Sequence, residues 1–468
     1  MEVKCTTGCP FRLFASWDSR RACFVVKSVD DEHSCTRNME GNRQMTSTWL
    51  AKQFLEIFKA RPHWPAKELI ETVRQAYRVA IKSALAYKVK YKAHKLLHGS
   101  MEEHYAKLGR YLQALRDSDA EICIRLLNDE RPRRSATPVF QRLFICFDGV
   151  RKGWKEGCRR FLSIDACFLK TFLGGQLLAV VGRDANDQMY PAAWAIVEGE
   201  NNSSWSWFLS EVQTALNLGQ GEGLTIISDE HLAIISSVAS IFPQCEHRHC
   251  ARHIFAYWHK DFKGDEMKLL FWRAAKAYSI ADYTDALDEM DTINPDATKA
   301  FKAHNPSVFC RAHLNTNTKV DVITSNLSET FNGYIIAART KHIIYMLEDI
   351  RVALMQRLVV KRQEMEASKA QICPRIQARL NKEKAEAANY MVIPSTNTTF
   401  QVNHKMDSLT VDLAAQSCTC RKWDLCGIPC CHAVACIFFC RKNAEDFVSE
   451  YYTRSTYLQS YAGSIPPQ

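Results

Sequence analysis

Apolar positions change their period twice along the chain. Near the N-terminus, FRLFASW and CFVVKSV are two apolar runs separated by the turn-prone DSRR, which predicts a small strand-rich piece. From Thr46 the period becomes helical: TSTWLAKQFLEIFKA, then AKELIETVRQAYRV after Pro65, then IKSALAYKVKYKAHKLL ending at Gly99. Three short helices of this kind suit a helix-turn-helix unit. A helical pattern is expected again from Met101 to about Asn128, and the proline-containing NDERPRRSATP reads as a linker or exposed loop. RRFLSIDACF, GQLLAVVGRD and YPAAWAIVEG then read as strands, SSWSWFLSEVQTALN as a helix and GLTIISD as a fourth strand. That order is the opening half of a ribonuclease-H-like α/β sheet. From about Ala251 to Thr316 the pattern is almost all helical and is read as an insertion. The segment from Ser325 to about Ala388 is helix-rich, charged toward its end and broken near Pro374, after which TTFQVNH and SLTVDLAAQ return to strand. No solenoid repeat is present.

Composition adjusts this picture only slightly. A chain of 468 residues with 47% apolar residues can fill two to four domain cores. A formal charge of +10 predicts attraction to polyanions, although 24% charged residues of both signs also describes many enzymes. The apolar stretch from Ala433 to Cys440 is less than half of the roughly 20 residues that a membrane helix needs, so no membrane partner is expected. MEVKCTTGC has no apolar signal core, which makes a reducing compartment the default. There, 19 cysteines mean metal sites and buried thiols, and spacing decides between them.

Three constellations carry chemistry. Cys418 and Cys420, followed after a short loop by Cys430 and His432, supply the four ligands of a closed tetrahedral zinc site. The alternative is a cysteine-rich helix start, since Cys426, Cys431, Cys436 and Cys440 lie nearby. Cys5 and Cys9, with His33 and Cys35 beyond the two strands, form a second four-ligand zinc candidate in a module with little core of its own. The alternative there is a frayed terminus with an exposed histidine. The third set is dispersed: Asp165 ends FLSID, Asp229 ends LTIISD, and Glu329 opens a helix in NLSETFN. Carboxylates so placed can hold two divalent cations, Mg²⁺ or Mn²⁺, for phosphodiester chemistry. By pattern alone a strand-terminal Asp is more often a turn former.

The Cys-x-Cys, Cys-x-His spacing, with Gly427-Ile428-Pro429 before the third ligand, resembles the SWIM zinc finger, and the N-terminal set resembles the β-type zinc domain of WRKY-like DNA binders. SIDACFLK, AVVGRDANDQMYPAAWAIVEGENNSSWSWFL, IISDE, HRHCARH and TSNLSETFNGYI follow the order found in Mutator-like element transposases of plants. The resemblance spans nearly the whole chain. It implies a multidomain α/β protein with a ribonuclease-H-like DDE catalytic domain at 140–255 and 320–365, interrupted by an all-α insertion at 256–319. Around it would lie a zinc DNA-binding module at 1–42, a helix-turn-helix-like region at 45–99 and a helical linker at 100–135. A charged helical connector at 366–395, the SWIM region at 396–445 and a tail at 446–468 complete the layout. Asp165, Asp229 and Glu329 would be the metal-binding acids, hydrolysing at terminal inverted repeats and transferring the freed 3′-hydroxyls. Cys250 and His253 match the family's Cys-x2-His motif; packing is the preferred reading, with metal ligation or hydrogen bonding as the alternative, because two ligands do not complete a zinc site.

The resemblance has departures. The chain begins four residues before Cys5, where family members carry further sequence, so a truncated or decayed copy is expected; Phe309 stands where the family has tryptophan. Lys88, Lys90, Lys92 and Lys95, interleaved with Tyr87 and Tyr91, suit phosphate contact in a DNA groove, against the plainer reading of a solvated basic helix face. Trp205 and Trp207, two apart on a helix, do not share a face, and neither is assigned to DNA. The expected compartment is the nucleus, and Arg131, Arg133 and Arg134 are a basic address too short to establish it. Transposases pair two DNA ends as multimers, so a homo-oligomer is implied. The competing readings are a domesticated, non-catalytic DNA-binding regulator and a ribonuclease-H-like nuclease without strand transfer.

Overall fold

The computed structural model describes the chain apart from residues 6, 36–44, 62–63, 130–137, 172, 405–406 and 468, so the arginine cluster at 131–134 lies outside the described residues. The chain divides into two compact units, Met1–Met101 and Glu102–Gln468.

In the first unit, β1 (Glu2–Lys4), β2 (Arg12–Asp18) and β3 (Cys23–Asp30) form an antiparallel sheet in that order. Among the described residues four helices follow: α1 (Ser47–Gln53), α2 (Leu55–Ala60), α3 (Ala66–Tyr77) and α4 (Ser83–His98). The first expected helix is thus two, joined at Phe54. Leu50, Phe58, Trp64, Leu69 and Val73 enclose the Ala86, Val89 and Ala93 stripe of α4, a spacing of three and four that turns one face of that helix inward.

The second unit takes in α5 (Met101–Ser118) from its second residue, then β4 (Cys123–Asp129), β5 (Val139–Cys146) and α6 (Asp148–Gly157). The helix expected to reach Asn128 therefore stops at Ser118, and a strand takes over. Next come β6 (Phe161–Phe168), β7 (Gln176–Arg183), β8 (Met189–Val197), α7 (Asn202–Leu216), β9 (Thr225–Ser228), α8 (Leu232–Ile241), β10 (Glu246–His249) and α9 (Ala251–Asp261). The strands make one mixed sheet in the order β10-β9-β6-β7-β8-β5-β4. β6, β9 and β10 run parallel, and the remaining pairs are antiparallel. β8 is buried at every position, which explains its unbroken apolar run: a strand covered on both faces has no polar side. α7 starts from a capping box in which Asn201 Oδ1 accepts from Ser204 N at 3.0 Å and Ser204 Oγ accepts from Asn201 N at 3.0 Å. Asn201→Ala is expected to cost about 1 kcal/mol, measured as a lower chemical-denaturation midpoint with zinc content unchanged. Trp205 is fully buried behind this cap, while the half-buried Trp207 ring carries the Arg142 guanidinium at 5.7 Å.

α10 (Asp265–Lys276), α11 (Ile280–Ile293) and α12 (Pro295–Ala303) pack with α9 around Trp258, Phe271, Met290 and Phe301 as a core of their own. Phe309 fills this core, its ring centroid 5.2 Å from that of Phe301. The chain returns to the sheet with α13 (Asn326–Tyr334), then α14 (Ile343–Glu366) and α15 (Pro374–Ala387), the break expected at Pro374 being the first turn of a helix. β11 (Met391–Pro394), β12 (Thr399–His404), β13 (Asp407–Asp412) and β14 (Ser417–Cys418) form an antiparallel sheet leading to α16 (Lys422–Cys426) and α17 (Cys431–Phe439). The final segment, including α18 (Arg454–Ser460), is built into the unit. A Cβ on Gly153 would stand 2.1 Å from the Ser460 carbonyl oxygen, so the glycine lets α6 and α18 touch. Buried Arg159 ties the same segment down, donating to Tyr452 Oη at 2.8 Å and pairing with Asp187.

Candidate catalytic centre and metal clusters

β6 and β9 are neighbours in parallel, with Ser163 opposite Ile227. Asp165 and Asp229 each follow two residues later, so the register brings two carboxylates to the same edge of the sheet. Burial and the charge of Asp229 push the Asp165 carboxyl up to about 6. The Ala166 N–H, donating to Asp165 Oδ1 at 2.9 Å, and then His253 oppose that rise, and Oδ2 accepts from Asn332 Nδ2 at 2.8 Å.

Asn332 lies on α13 one turn after Glu329, which puts both on the same side of that helix. The helix is fixed against the sheet by the buried Ser328 hydroxyl, which donates to Ser163 Oγ at 2.7 Å. Glu329 itself forms an ion pair with Arg252 of α9. The three acids are not drawn into one tight ligand set. Among the described residues, only two groups of three or more Cys, His, Asp or Glu side chains offer ligand atoms all within 4.8 Å of one another, and both are Cys/His clusters.

Cys250 caps the N-terminus of α9, its N–H donating to the Ser228 carbonyl at 2.8 Å and its Sγ accepting from Ser325 N at 3.3 Å. Burial opposes ionisation of this thiol, but hydrogen bonds with His253 and Ser325 bring it down to about 7. His253 is raised by Cys250 and then by the charges of Asp229 and Asp165. Cys250 is therefore a packed residue linking α9, β9 and the approach to α13, while His253 lies in the field of both acids. Sequence reasoning passes over Asn332, Arg252 and Glu200, the last adding its charge to the rise at Asp165. Only the one-turn spacing of Asn332 from Glu329 could have marked one of them.

At the C-terminal cluster, Cys418 ends β14, Cys420 follows it, Cys430 caps α17 and His432 lies in its first turn. His432 Nδ1 is 3.7 Å from both Cys418 Sγ and Cys430 Sγ. A tetrahedral zinc with bonds near 2.3 Å to sulfur and 2.0 Å to nitrogen separates such atoms by about 3.5 Å. Neighbouring groups hold the frame: Asp424 Oδ2 accepts from Cys418 N at 3.0 Å, and Glu383 accepts from Cys431 N and Lys422 Nζ. Gly427 has φ +72° between α16 and Cys430, a backbone that glycine adopts without strain. Cys426 and Cys431 lie outside the ligand set, donating to Ile428 O and to Tyr390 Oη.

In the N-terminal unit, His33 Nδ1 lies 3.5 Å from Cys9 Sγ and 3.6 Å from Cys35 Sγ, and Cys5 Sγ is 3.3 Å from Cys35 Sγ. Phe11 stacks on the His33 ring at 4.4 Å and orients it. Both clusters are compatible with zinc. The α4 lysines divide: Lys88 and Lys95 are exposed, as is Tyr87, burial lowers Lys90, and Lys92 donates to Thr48 Oγ1 on α1.

Residues 161–257 match the MULE transposase domain, and residues 400–440 match the SWIM zinc finger. The first match runs from the start of β6 into α9 and covers Asp165, Asp229, Cys250 and His253; the second covers all four C-terminal ligands. Comparison with curated proteins finds no match.

Proposed function

We propose that this chain, which carries a MULE transposase domain and a SWIM zinc finger, is a DDE-type DNA transposase acting in the nucleus as a homo-oligomer on terminal inverted repeats. Its mixed sheet is read as ribonuclease-H-like, with 256–319 as the helical insertion. The zinc module at 1–42 and the helices at 45–99 serve as DNA-binding parts, through Lys88 and Lys95 first. The observation that carries this reading is the pair of strand-end carboxylates, Asp165 and Asp229, close enough that one raises the proton affinity of the other.

Asp165, Asp229 and Glu329 would hold two Mg²⁺ or Mn²⁺ ions. Such ions, when bound, polarise the scissile phosphate and lower the pKa of an attacking water or 3′-hydroxyl. Asn332 orients Asp165, and Ser328 anchors the helix that presents Glu329. His253, its proton affinity raised by Cys250 and by both aspartates, lies in the field of the two acids. Cation binding by Glu329 competes with Arg252, and this ion pair favours a second reading, a non-catalytic DNA-binding regulator.

The full chain, incubated with an inverted-repeat end, a target plasmid and Mg²⁺ or Mn²⁺, is expected to yield products in which the end is covalently joined to the target. Cleavage without joining would identify a plain nuclease. Absence of both cleavage and joining with either metal, together with footprints on host promoters, would establish the regulator instead.

A further inference from the structure

Beside Glu329, on the side of Arg252 and Asn326, lies an open cleft of about 690 Å³ between the helical insertion, α15 and the SWIM finger. Six cations line it, Arg183, Arg252, Lys276, Arg311, Arg379 and Lys422, against two lining carboxylates, Asp321 and Glu383; Arg183 is taken up by Asp187 at 2.8 Å and Arg252 by Glu329. Buried Asp321 serves two guanidiniums, with Arg379 at 2.6 Å and Arg311 at 4.0 Å, so its one charge is divided. Lys422 pairs with Glu383 at 2.6 Å. Lys276 is exposed and, among the described residues, has no carboxylate within ion-pair distance; its contact is the Trp272 ring at 5.0 Å. Positive charge thus exceeds what folding needs to neutralise the acids present, and a concave wall concentrates the resulting field.

We infer that this cleft binds the sugar-phosphate backbone of the DNA strand next to the acid site, and that it does so without reading bases. The aromatic lining argues for phosphate over a stacked base. The Tyr278 ring already has Arg311 at 4.8 Å and Lys422 at 5.9 Å, and its hydroxyl is committed to Asp321 at 2.7 Å. What the cleft offers is guanidinium and ammonium groups, which suit phosphate oxygens and carry no sequence information. The ion pair between Arg252 and Glu329 joins the cleft to the acids, so a strand held here continues toward them. The inference rests on the chain acting on DNA and is independent of whether it cuts.

The test measures binding of the zinc-loaded full chain to a fluorescent duplex, without added Mg²⁺ or Mn²⁺, across 50 to 200 mM salt, for two unrelated sequences. Lys276→Gln is expected to reduce the log-log salt slope by about 0.9, so that its affinity deficit changes roughly three-fold across that range. The reduction is the same for both sequences, Lys276→Glu is weaker still, and Lys276→Arg restores the slope. Lys299→Gln, an exposed lysine of the same insertion outside the cleft, keeps the wild-type slope. Equal slopes for wild type, Lys276→Gln and Lys276→Glu would overturn the proposal, as would an equal loss in Lys299→Gln or a loss confined to one sequence. A chain that joins no DNA yet shows the slope change keeps the cleft and loses the transposase reading; an active chain without it does the reverse.

Discussion

Asp165→Asn is expected to abolish joining of DNA ends, by about 10³-fold or more, several kcal/mol of transition-state stabilisation, and at the same time to make the fold more stable. Asn keeps one acceptor, for Ala166 N, and its NH2 can donate to Asn332 Oδ1 once that amide turns over, but it cannot carry the negative charge that binds a cation. The gain in stability follows from the direction of the shift. With its carboxyl raised to about 6 by burial and by Asp229, the folded chain holds this proton more tightly than the unfolded chain does. Its contribution to stability therefore declines as pH rises from the ordinary carboxyl range through 6, and above that the ionised group is a constant penalty. Asn removes the penalty. The variant should match wild type near pH 4 and exceed it above pH 6 by about 1 to 2 kcal/mol, allowing for partial exposure, in zinc-replete buffer lacking Mg²⁺. Asp229→Ala should lose activity to the same degree and lower the Asp165 carboxyl. A purely structural turn former at Asp165 would give the opposite result, lower stability with activity retained.

That pair also shows what a sequence can and cannot disclose. Asp165 and Asp229 are legible as strand ends because alternation and turn residues are local signals. Their adjacency depends on β6 and β9 pairing in parallel across an intervening meander and helix, which no local pattern states. The Arg252 and Glu329 ion pair links α9 to α13 across the whole insertion and leaves no trace in either segment. β4 was hidden because the apolar positions of CIRLLND continue the helical run before it, and only its pairing with β5 makes it a strand. Gly149, Gly153 and Gly157 weaken helix propensity, and the reason for them is remote in sequence: the chain at Ser460 and Ser464 occupies the space their side chains would need. The α4 lysines look alike in sequence; the structure commits Lys92 to Thr48 and half-buries Lys90, leaving Lys88 and Lys95 outward. By contrast, the convergence of Cys418, Cys420, Cys430 and His432 was legible, because four such side chains within fifteen residues need little tertiary context to meet.

Cys430→Ser is accordingly expected to have the largest effect on folding. Structural zinc in finger peptides contributes on the order of 10 kcal/mol of apparent binding free energy, and where the ligands are not assembled without metal this becomes folding free energy. Here the ligands come from β14, the loop after it and α17, so the metal would tie a strand to a helix. The loss would spread beyond the finger. Arg421, in the loop after Cys420, donates to the carbonyls of Ala312 and Leu314 in the helical insertion, and Glu383 of α15 holds Cys431 N and Lys422. Zinc per chain should fall by one equivalent, and proteolysis should open the connector near 388–396. DNA joining should drop with it, because the cleft wall that includes Arg379 and Lys422 depends on the finger. Cys440→Ser separates this from a general sensitivity to losing thiols: it lies in the same cysteine-rich stretch but outside the ligand set, so zinc content and protease resistance should be unchanged. Acidification should mimic Cys430→Ser, since protonating the thiolates competes with metal, and zinc should be released cooperatively as pH falls. Undiminished zinc in Cys430→Ser, or zinc lost in Cys440→Ser, would reject the assignment of Cys418, Cys420, Cys430 and His432 as the ligand set.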